Sequence, residues 1–275
     1  MGIESGAGMR VAVAGGTGAV GRHVAEALTA RGHEAVVLAR SHGVDVTTGA
    51  GLPAALAGAD ALVDAVSVAT LNGRTSERFF RASTTHLLRA AADAGVGHVV
   101  CLSIVGIDAS PAGYYAGKVV QEALVERGPV PWTIQRATQF HELAAQIAVR
   151  ARVGPVVAVP EMRSQPVAAR EVAARVADLV EAGPSGRVAE LAGPRVERTS
   201  ALVRAYLRAI GSRAPVVPLV LPGRTWAGRR AGALLPGPGA VLGTQPFDAW
   251  LESDAAEASQ AARDGVSAPR RGPAS

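Results

Sequence analysis

Tyr114 and Lys118 stand four residues apart, a spacing that sets a phenol and an ammonium on one helix face. Lys118 is the only lysine among 28 Lys and Arg residues. Arginine serves everywhere else that positive charge is used. Arginine is always charged and forked, whereas lysine is a compact charge whose pKa moves with its surroundings. A free phenol titrates near pH ~10, and a nearby cation favours the phenolate. Tyr114 beside Lys118 is equipped to give a proton to a carbonyl oxygen, or to take one from an alcohol, near neutral pH. Ser103 follows the apolar run Val99-Val100-Cys101-Leu102 and could hold the same oxygen by a hydrogen bond. No side chain supplies a hydride, so redox chemistry here needs a cofactor. The alternative is a surface lysine that happens to lie near a tyrosine.

A cofactor site is legible at the start of the chain. Met9–Ala14 reads as an apolar strand, Gly15-Gly16-Thr17-Gly18-Ala19-Val20-Gly21 as a turn, and Arg22–Arg31 as a helix closed by Gly32. Gly15, Gly18 and Gly21 suit a tight turn whose backbone approaches a pyrophosphate and whose helix packs closely on the sheet. The N–H groups opening that helix then face the phosphates. Gly15, Thr17, Gly18, Ala19, Val20 and Gly21 are the expected phosphate-binding residues. The second strand, Glu34–Ala39, ends at Arg40-Ser41, without the acid that would bond the ribose of NAD. Arginine suits a 2′-phosphate, so NADP(H) is expected. Asp45 lies too far along to be the ribose acid and is expected to help hold the adenine.

Strands and helices must alternate to position these groups, and they do. A short strand is expected at Val44–Val46, a helix at Leu52–Ala57, a strand at Ala61–Val66 and a loop over Ser67–Arg74. A long helix follows at Ser76–Ala94, a strand at His98–Leu102, a helix at Tyr114–Arg127, a strand at Pro131–Gln135 and a helix at Gln139–Arg150. This is an α/β pattern: a Rossmann-type doubly wound parallel sheet with ligands at the carboxyl ends of its strands. Residues 9–150 form the expected NADP-binding core. Residues 151–252 are expected to complete it with a strand and a helix and to add a small substrate lobe. Within that segment, strands are expected at 156–159 and 188–191. Helices are expected at 170–181, 200–210, 225–233 and 247–251, with Trp226, Phe247 and Trp250 as core anchors. Residues 1–8 and 253–275 read as disordered.

Composition narrows the function. Hydrophobic residues make up 48% and charged residues 19%, which is globular. Aromatics at 4% leave few platforms for stacking bases. The net charge of +5 comes from arginines scattered among 23 acids; no nucleic-acid partner is expected. Cys101, the one cysteine, rules out an intramolecular disulfide and reads as a small buried hydrophobe in a reduced, cytoplasmic setting. No signal-peptide pattern and no apolar run of about 18 residues is present, so no membrane role is expected. The six histidines are dispersed, and no metal cluster is expected.

Gly15–Gly21, Arg40, Asp45-Val46, Ser103, Tyr114-x-x-x-Lys118 and the stretch Tyr114–Phe140 together resemble the short-chain dehydrogenase/reductase superfamily, and within it an atypical NmrA-like NAD(P)-binding group. The resemblance covers roughly residues 9–250. It implies that Ser41, Val46, Ala65, Val66, Ser67, Lys118 and Thr138 also meet the cofactor. It implies that Thr70, Tyr115, Gln139, Phe140 and His141 line the substrate. The Asn-Asn-Ala-Gly found after the fourth strand in better-known members is absent. The expected activity is NADPH-dependent reduction of a small organic carbonyl, or the reverse oxidation, with Tyr114 as acid/base, Lys118 as its tuner and ribose anchor, and Ser103 as oxygen orienter. Two alternatives stay open: a non-catalytic NADP(H) sensor or regulator of NmrA type, and a same-fold enzyme with non-redox chemistry such as an epimerase, dehydratase or cyclase. A monomer or homodimer acting on a small molecule is expected.

Overall fold

Residues 8–254 are described by the structure, a computed structural model. In chain order the elements are β1 (Arg10–Ala14), α1 (Gly21–Ala30), β2 (Glu34–Leu38), α2 (Leu52–Leu56), β3 (Ala61–Asp64), α3 (Gly73–Asp93), β4 (His98–Ile104), α4 (Tyr114–Glu126) and β5 (Trp132–Ala137). After these come α5 (Leu143–Arg150), β6 (Arg152–Val153), β7 (Val156–Pro160), β8 (Arg163–Ser164), α6 (Ala169–Ala182), β9 (Gly186–Arg187) and β10 (Leu191–Ala192). The last are β11 (Glu197–Arg198), α7 (Thr199–Ala209), β12 (Val216–Leu219), α8 (Arg224–Ala231) and β13 (Val241–Leu242). The chain divides into two compact units. One comprises the chain up to Ala137 together with Arg170–Glu190; the other comprises Thr138–Ala169 and the chain from Leu191 onward.

The first unit is built on a parallel sheet in the order β2-β1-β3-β4-β5-β9. Val11–Ala14 and Ala61–Val63 are wholly buried, as strands covered on both faces must be. Leu28 of α1 and Phe80, Leu87 and Ala91 of α3 contribute apolar side chains to the core. The strand order reverses at β1, which has β2 on one side and β3 on the other. Such a switch point opens a crevice at the carboxyl ends of the strands. The Rossmann-type doubly wound fold is therefore the one observed.

One expected strand is missing. Residues 44–46 make only a single bridge, Asp45 to Ala50. The Asp45 carboxylate accepts from the Thr47 N–H at 2.8 Å and from its hydroxyl at 2.6 Å. That side-chain turn bends the chain back before a ladder can extend.

In the second unit, β12-β7-β6 form a small sheet, β8 pairs with β11, and β10 pairs with β13. Helix α5 belongs to this unit: Ala144, Ala145 and Ala148 share a core with Leu202, Val203 and Tyr206 of α7 and with Phe247 and Trp250. Phe247 and Trp250 are thus core anchors, as expected. Trp226 is not. It is half-exposed on α8, which buries no residue, and its ring carries the Arg229 guanidinium at 4.9 Å. The strand expected at 188–191 is replaced by the two-residue β9 and β10. Residues 247–254 are helical. Gly8 is exposed and outside any helix or strand, and the rest of the disorder expected for 1–8 and 253–275 concerns residues outside those described. Among the described residues no helix is long and apolar enough to cross a membrane.

Candidate active site

The turn after β1 fits a phosphate group. Gly15 has φ +77° and lies so close to the Ala65 carbonyl that a side chain there would collide with it. A side chain at Gly21 would run into the Gly15 carbonyl and the Gly16 backbone. Thr17 and Gly18 form the exposed tip. No side chain caps α1 and no acid stands in its first turn, which leaves the positive end of the helix to an anion. Arg40 lies in the 3₁₀ turn Arg40–His42 just past β2, beside Ser41, and both are exposed. Its charge reaches Asp45, whose carboxyl is held below the usual range first by the Thr47 hydrogen bonds and then by Arg40. Asp45 thus uses Oδ1 in its own turn.

Helix α4 opens at Gly113, φ +63°. Tyr114, Lys118, Gln121, Glu122 and Val125 recur at helical spacing on one face, and the last four are buried. Gly117 lets α4 press against α3, since a side chain there would strike Ser76 and Phe80. The Ser76 hydroxyl donates to the Tyr114 carbonyl at 2.7 Å. The Tyr114 phenol shares a hydrogen bond with the Ser67 hydroxyl at 3.0 Å and meets the edge of Phe80, with ring centres 5.7 Å apart. Ser67 is exposed and follows Ala65-Val66, the backbone against which Gly15 packs. The glycine turn, the end of β3 and the phenol are therefore consecutive neighbours. Tyr115 lies half-buried with its ring centre 6.1 Å from that of Tyr114. The Thr70 hydroxyl accepts from the Asn72 N–H at 3.1 Å, bracing the start of α3.

Lys118 points inward. It is 4% exposed, and its Nζ donates to the Leu102 carbonyl at 2.7 Å and to Gln121 Oε1 at 2.6 Å. Gln121 Nε2 in turn donates to Asp64 Oδ2 at 2.7 Å, and the Val66 N–H donates to Asp64 Oδ1 at 3.2 Å. Burial holds the Asp64 carboxyl above the usual carboxylate range, against the smaller opposite pulls of Lys118, Gln121 and the Val66 N–H. Asp64 and Gln121 are the residues that the sequence does not single out. The available signal is an acid interrupting the otherwise apolar run Ala61–Val66.

Ser103, expected to orient a substrate oxygen, lies on β4. It is 1% exposed and lies opposite Arg136 in the β4–β5 register. Arg136 grips Glu122 with two parallel hydrogen bonds, at 2.9 and 2.7 Å, and reaches Asp108 at 2.6 Å. Burial pushes the Glu122 carboxyl up, but Arg136 and Arg187 together hold it below the usual carboxylate range. Ser103 Oγ is buried and makes no hydrogen bond among the described residues, and Ser67 is the hydroxyl that meets the phenol. Burial pushes the Cys101 thiol up, in keeping with an inert core cysteine.

The site residues expected from the second unit are mostly consumed within it. The Thr138 hydroxyl donates to the Gln165 carbonyl at 2.6 Å, and its N–H to the Leu191 carbonyl at 2.9 Å. Gln139 Oε1 accepts from Ser164 at 2.8 Å. Half-buried Phe140 bridges to Val167. His141 is 1% exposed; its Nε2 donates to the Gln245 carbonyl at 3.1 Å and its ring packs on Phe247 and Trp250. It is packed as a core residue. Among the described residues no group of three or more His, Cys, Asp or Glu side chains could hold a metal ion.

A family model described as NAD(P)H-binding matches residues 15–182. No curated protein matches the chain. Among solved structures, the chain is similar to a UDP-glucose-4-epimerase from Stenotrophomonas maltophila with bound NAD, at 16% identity and a TM-score of 0.67 over 95% of this chain and 100% of that one. It is similar to an NADPH-dependent quinone oxidoreductase from Escherichia coli, at 19% identity and a TM-score of 0.62 over 88% and 98% of the two chains. It is also similar to an NAD-dependent NDP-hexosamine 5,6-dehydratase of tunicamycin biosynthesis, at 16% and 0.67 over 92% and 98%. At these identities the likenesses establish the shared fold.

Proposed function

Because the chain belongs to the NAD(P)H-binding family, as an NmrA-like member of the short-chain dehydrogenase/reductase superfamily, we propose that it is an NADPH-dependent reductase of a small organic carbonyl, working equally as the alcohol dehydrogenase in reverse. The observation that carries this reading is the Tyr114–Ser67 hydrogen bond beside the glycine turn, on a helix whose next turn buries the lone lysine. The family's dinucleotide suits the residues present. Gly15–Gly21 and the uncapped start of α1 would hold its pyrophosphate, and Arg40 its 2′-phosphate. When bound, it supplies the hydride that reaches the carbonyl carbon. Tyr114 supplies the proton at the carbonyl oxygen, and Ser67 steadies the phenol while that proton leaves. Lys118 stabilises the resulting phenolate by its charge. Run backwards, the same phenol takes the proton of the alcohol.

A second reading keeps the same residues. The epimerase and dehydratase among the similar structures favour a reaction in which Tyr114 moves protons while the cofactor ends unchanged. The two readings part on one assay. Protein, NADPH and a panel of aldehydes, ketones and quinones are mixed, and loss of cofactor absorbance is followed. The proposal expects turnover with at least one carbonyl. Tyr114→Phe should lower kcat by about 100-fold or more, with NADPH affinity within about twofold of wild type by fluorescence titration. Intact turnover in Tyr114→Phe would falsify the mechanism. Tight cofactor binding without net consumption favours the second reading.

A further inference from the structure

A buried lysine sheds its proton unless its surroundings hold the charge. Around Lys118, α3 offers the face of Phe80, 4.8 Å from Nζ to the ring centre. From β4 come the Leu102 carbonyl and the Cys101 thiol. From α4 itself come Tyr114, Gln121 and Glu122. The Glu122 carboxylate is already forked onto Arg136 of β5 and paired with Arg187 of β9 at 2.8 Å. From β3 comes Asp64, 2% exposed, which accepts from Gln121 and from the Val66 N–H and pairs with no arginine among the described residues. Asp64 is therefore the one acid near Lys118 whose charge is not already spent on an arginine.

The link between them has a direction. An ionised carboxylate only accepts hydrogen bonds, so it takes the NH₂ end of Gln121 and turns the amide oxygen toward the ammonium. We propose that Asp64 is the positioning residue of this site: through Gln121 it holds Lys118 charged and in its inward pose. Two of the three ammonium donors are then fixed inside the protein, at Leu102 and Gln121, and the third is left for a ribose hydroxyl of the cofactor. The inference deepens the reading of Tyr114 and Lys118 given above and rests on it for its consequence, but it concerns the lysine charge and not turnover.

Lys118 being the only lysine makes the test direct. Full-length protein bearing a lysine-free tag, grown on lysine labelled with ¹³C at Cε, carries one labelled site whose chemical shift follows the charge on Nζ. Asp64→Asn keeps the shape and an acceptor for Gln121 but removes the counter-charge. Its lysine should titrate about one pH unit or more below that of wild type. Gln121→Met, which cuts the link and leaves Asp64 in place, should move the midpoint in the same direction. The alcohol-oxidation profile of Asp64→Asn should shift to higher pH, because a neutral lysine no longer favours the phenolate. A variant lysine that titrates with wild type overturns the proposal, and Gln121→Met decides alone if Asp64→Asn does not fold. A wild-type lysine already uncharged at neutral pH overturns it with no variant needed. The NMR readout needs no substrate. Absence of any carbonyl turnover with the expected lysine shifts would sink the reductase reading and leave Asp64 in its role. Tyr114-dependent turnover with unshifted lysines would do the reverse.

Discussion

The hydroxyl nearest the phenol is decided by which way β4 presents its side chains. Ser103 and Ser67 both follow apolar strand residues, and the family resemblance points to Ser103. The β4–β5 register sets Ser103 opposite Arg136, where it is buried with no hydrogen-bond partner for its Oγ. Ser67, exposed on the loop after β3, bonds the phenol. Ser67→Ala should remove a neutral hydrogen bond, about 1 kcal/mol, and lower kcat by roughly fivefold to tenfold with unchanged thermal stability. Ser103→Ala should leave kcat within about twofold and stability nearly unchanged, because its buried Oγ has no hydrogen bond to lose. Steady-state kinetics and urea denaturation of the two variants check this; the opposite pattern would restore Ser103 to the reaction. The Tyr–Lys spacing was legible because helical geometry alone places the pair on one face. The inward pose of Lys118 was not. It depends on Leu102 and Asp64, acceptors from two other strands that sequence separation hides.

Helix α4 shows what periodicity can and cannot disclose. Its position between a strand and a turn is plain in the sequence, and its observed limits are Tyr114–Glu126. Its buried face, however, carries Lys118, Gln121 and Glu122. A reading that looks for apolar residues every three or four positions would assign those to solvent. The face is polar because it covers the carboxyl ends of β3 to β5, where Asp64, the Leu102 carbonyl and Arg136 need partners. Residues 44–46 fail in the other direction. Their apolar–polar alternation suggests a strand, but Asp45 prefers the local bonds of Thr47. The Glu122–Arg136 fork is the strongest tie between α4 and the sheet, with the Glu122 side chain 3% and the Arg136 side chain 15% exposed. Glu122→Gln removes the buried carboxylate of the fork, leaving the Arg136 guanidinium only the exposed Asp108, and should cost about 3 kcal/mol at neutral pH. The Glu122 pKa in the folded state lies below its unfolded value of about 4.3. Its stabilisation is therefore complete above that pH and is lost as pH falls through the folded-state pKa. Urea denaturation of wild type and Glu122→Gln should show a constant gap from neutral pH down to about pH 5, narrowing below about pH 4. A gap unchanged at pH ~3 would mean that the fork is not what Glu122 contributes.

At the scale of the molecule, alternating strands and helices sufficed to foresee the parallel sheet, because each apolar strand buried on both faces needs a crossover helix to return the chain. The division into units was harder to read. Helix α5 looks like a continuation of the core helices, yet its alanines pack with α7, and the chain returns to the first unit only for α6 and β9. Alanine-rich helices pack equally well against either partner, so composition does not choose. The proposed cofactor preference rests on Arg40, which lies in an exposed turn just past β2 with no acid at that strand end. A ligand that binds only the folded protein raises its stability by an amount set by concentration over Kd, about 2.7 kcal/mol at 100 times Kd. If Arg40 grips the 2′-phosphate, NADPH should outbind NADH by about tenfold or more, worth about 1.4 kcal/mol. At equal millimolar concentrations, thermal unfolding should show a clearly larger rise with NADPH than with NADH. Arg40→Ala should bring the NADPH rise down to that of NADH and leave the NADH rise unaltered, because the glycine turn and α1 hold what the two dinucleotides share. Equal rises in wild type, or equal losses in the variant, would mean that Arg40 does not select the cofactor.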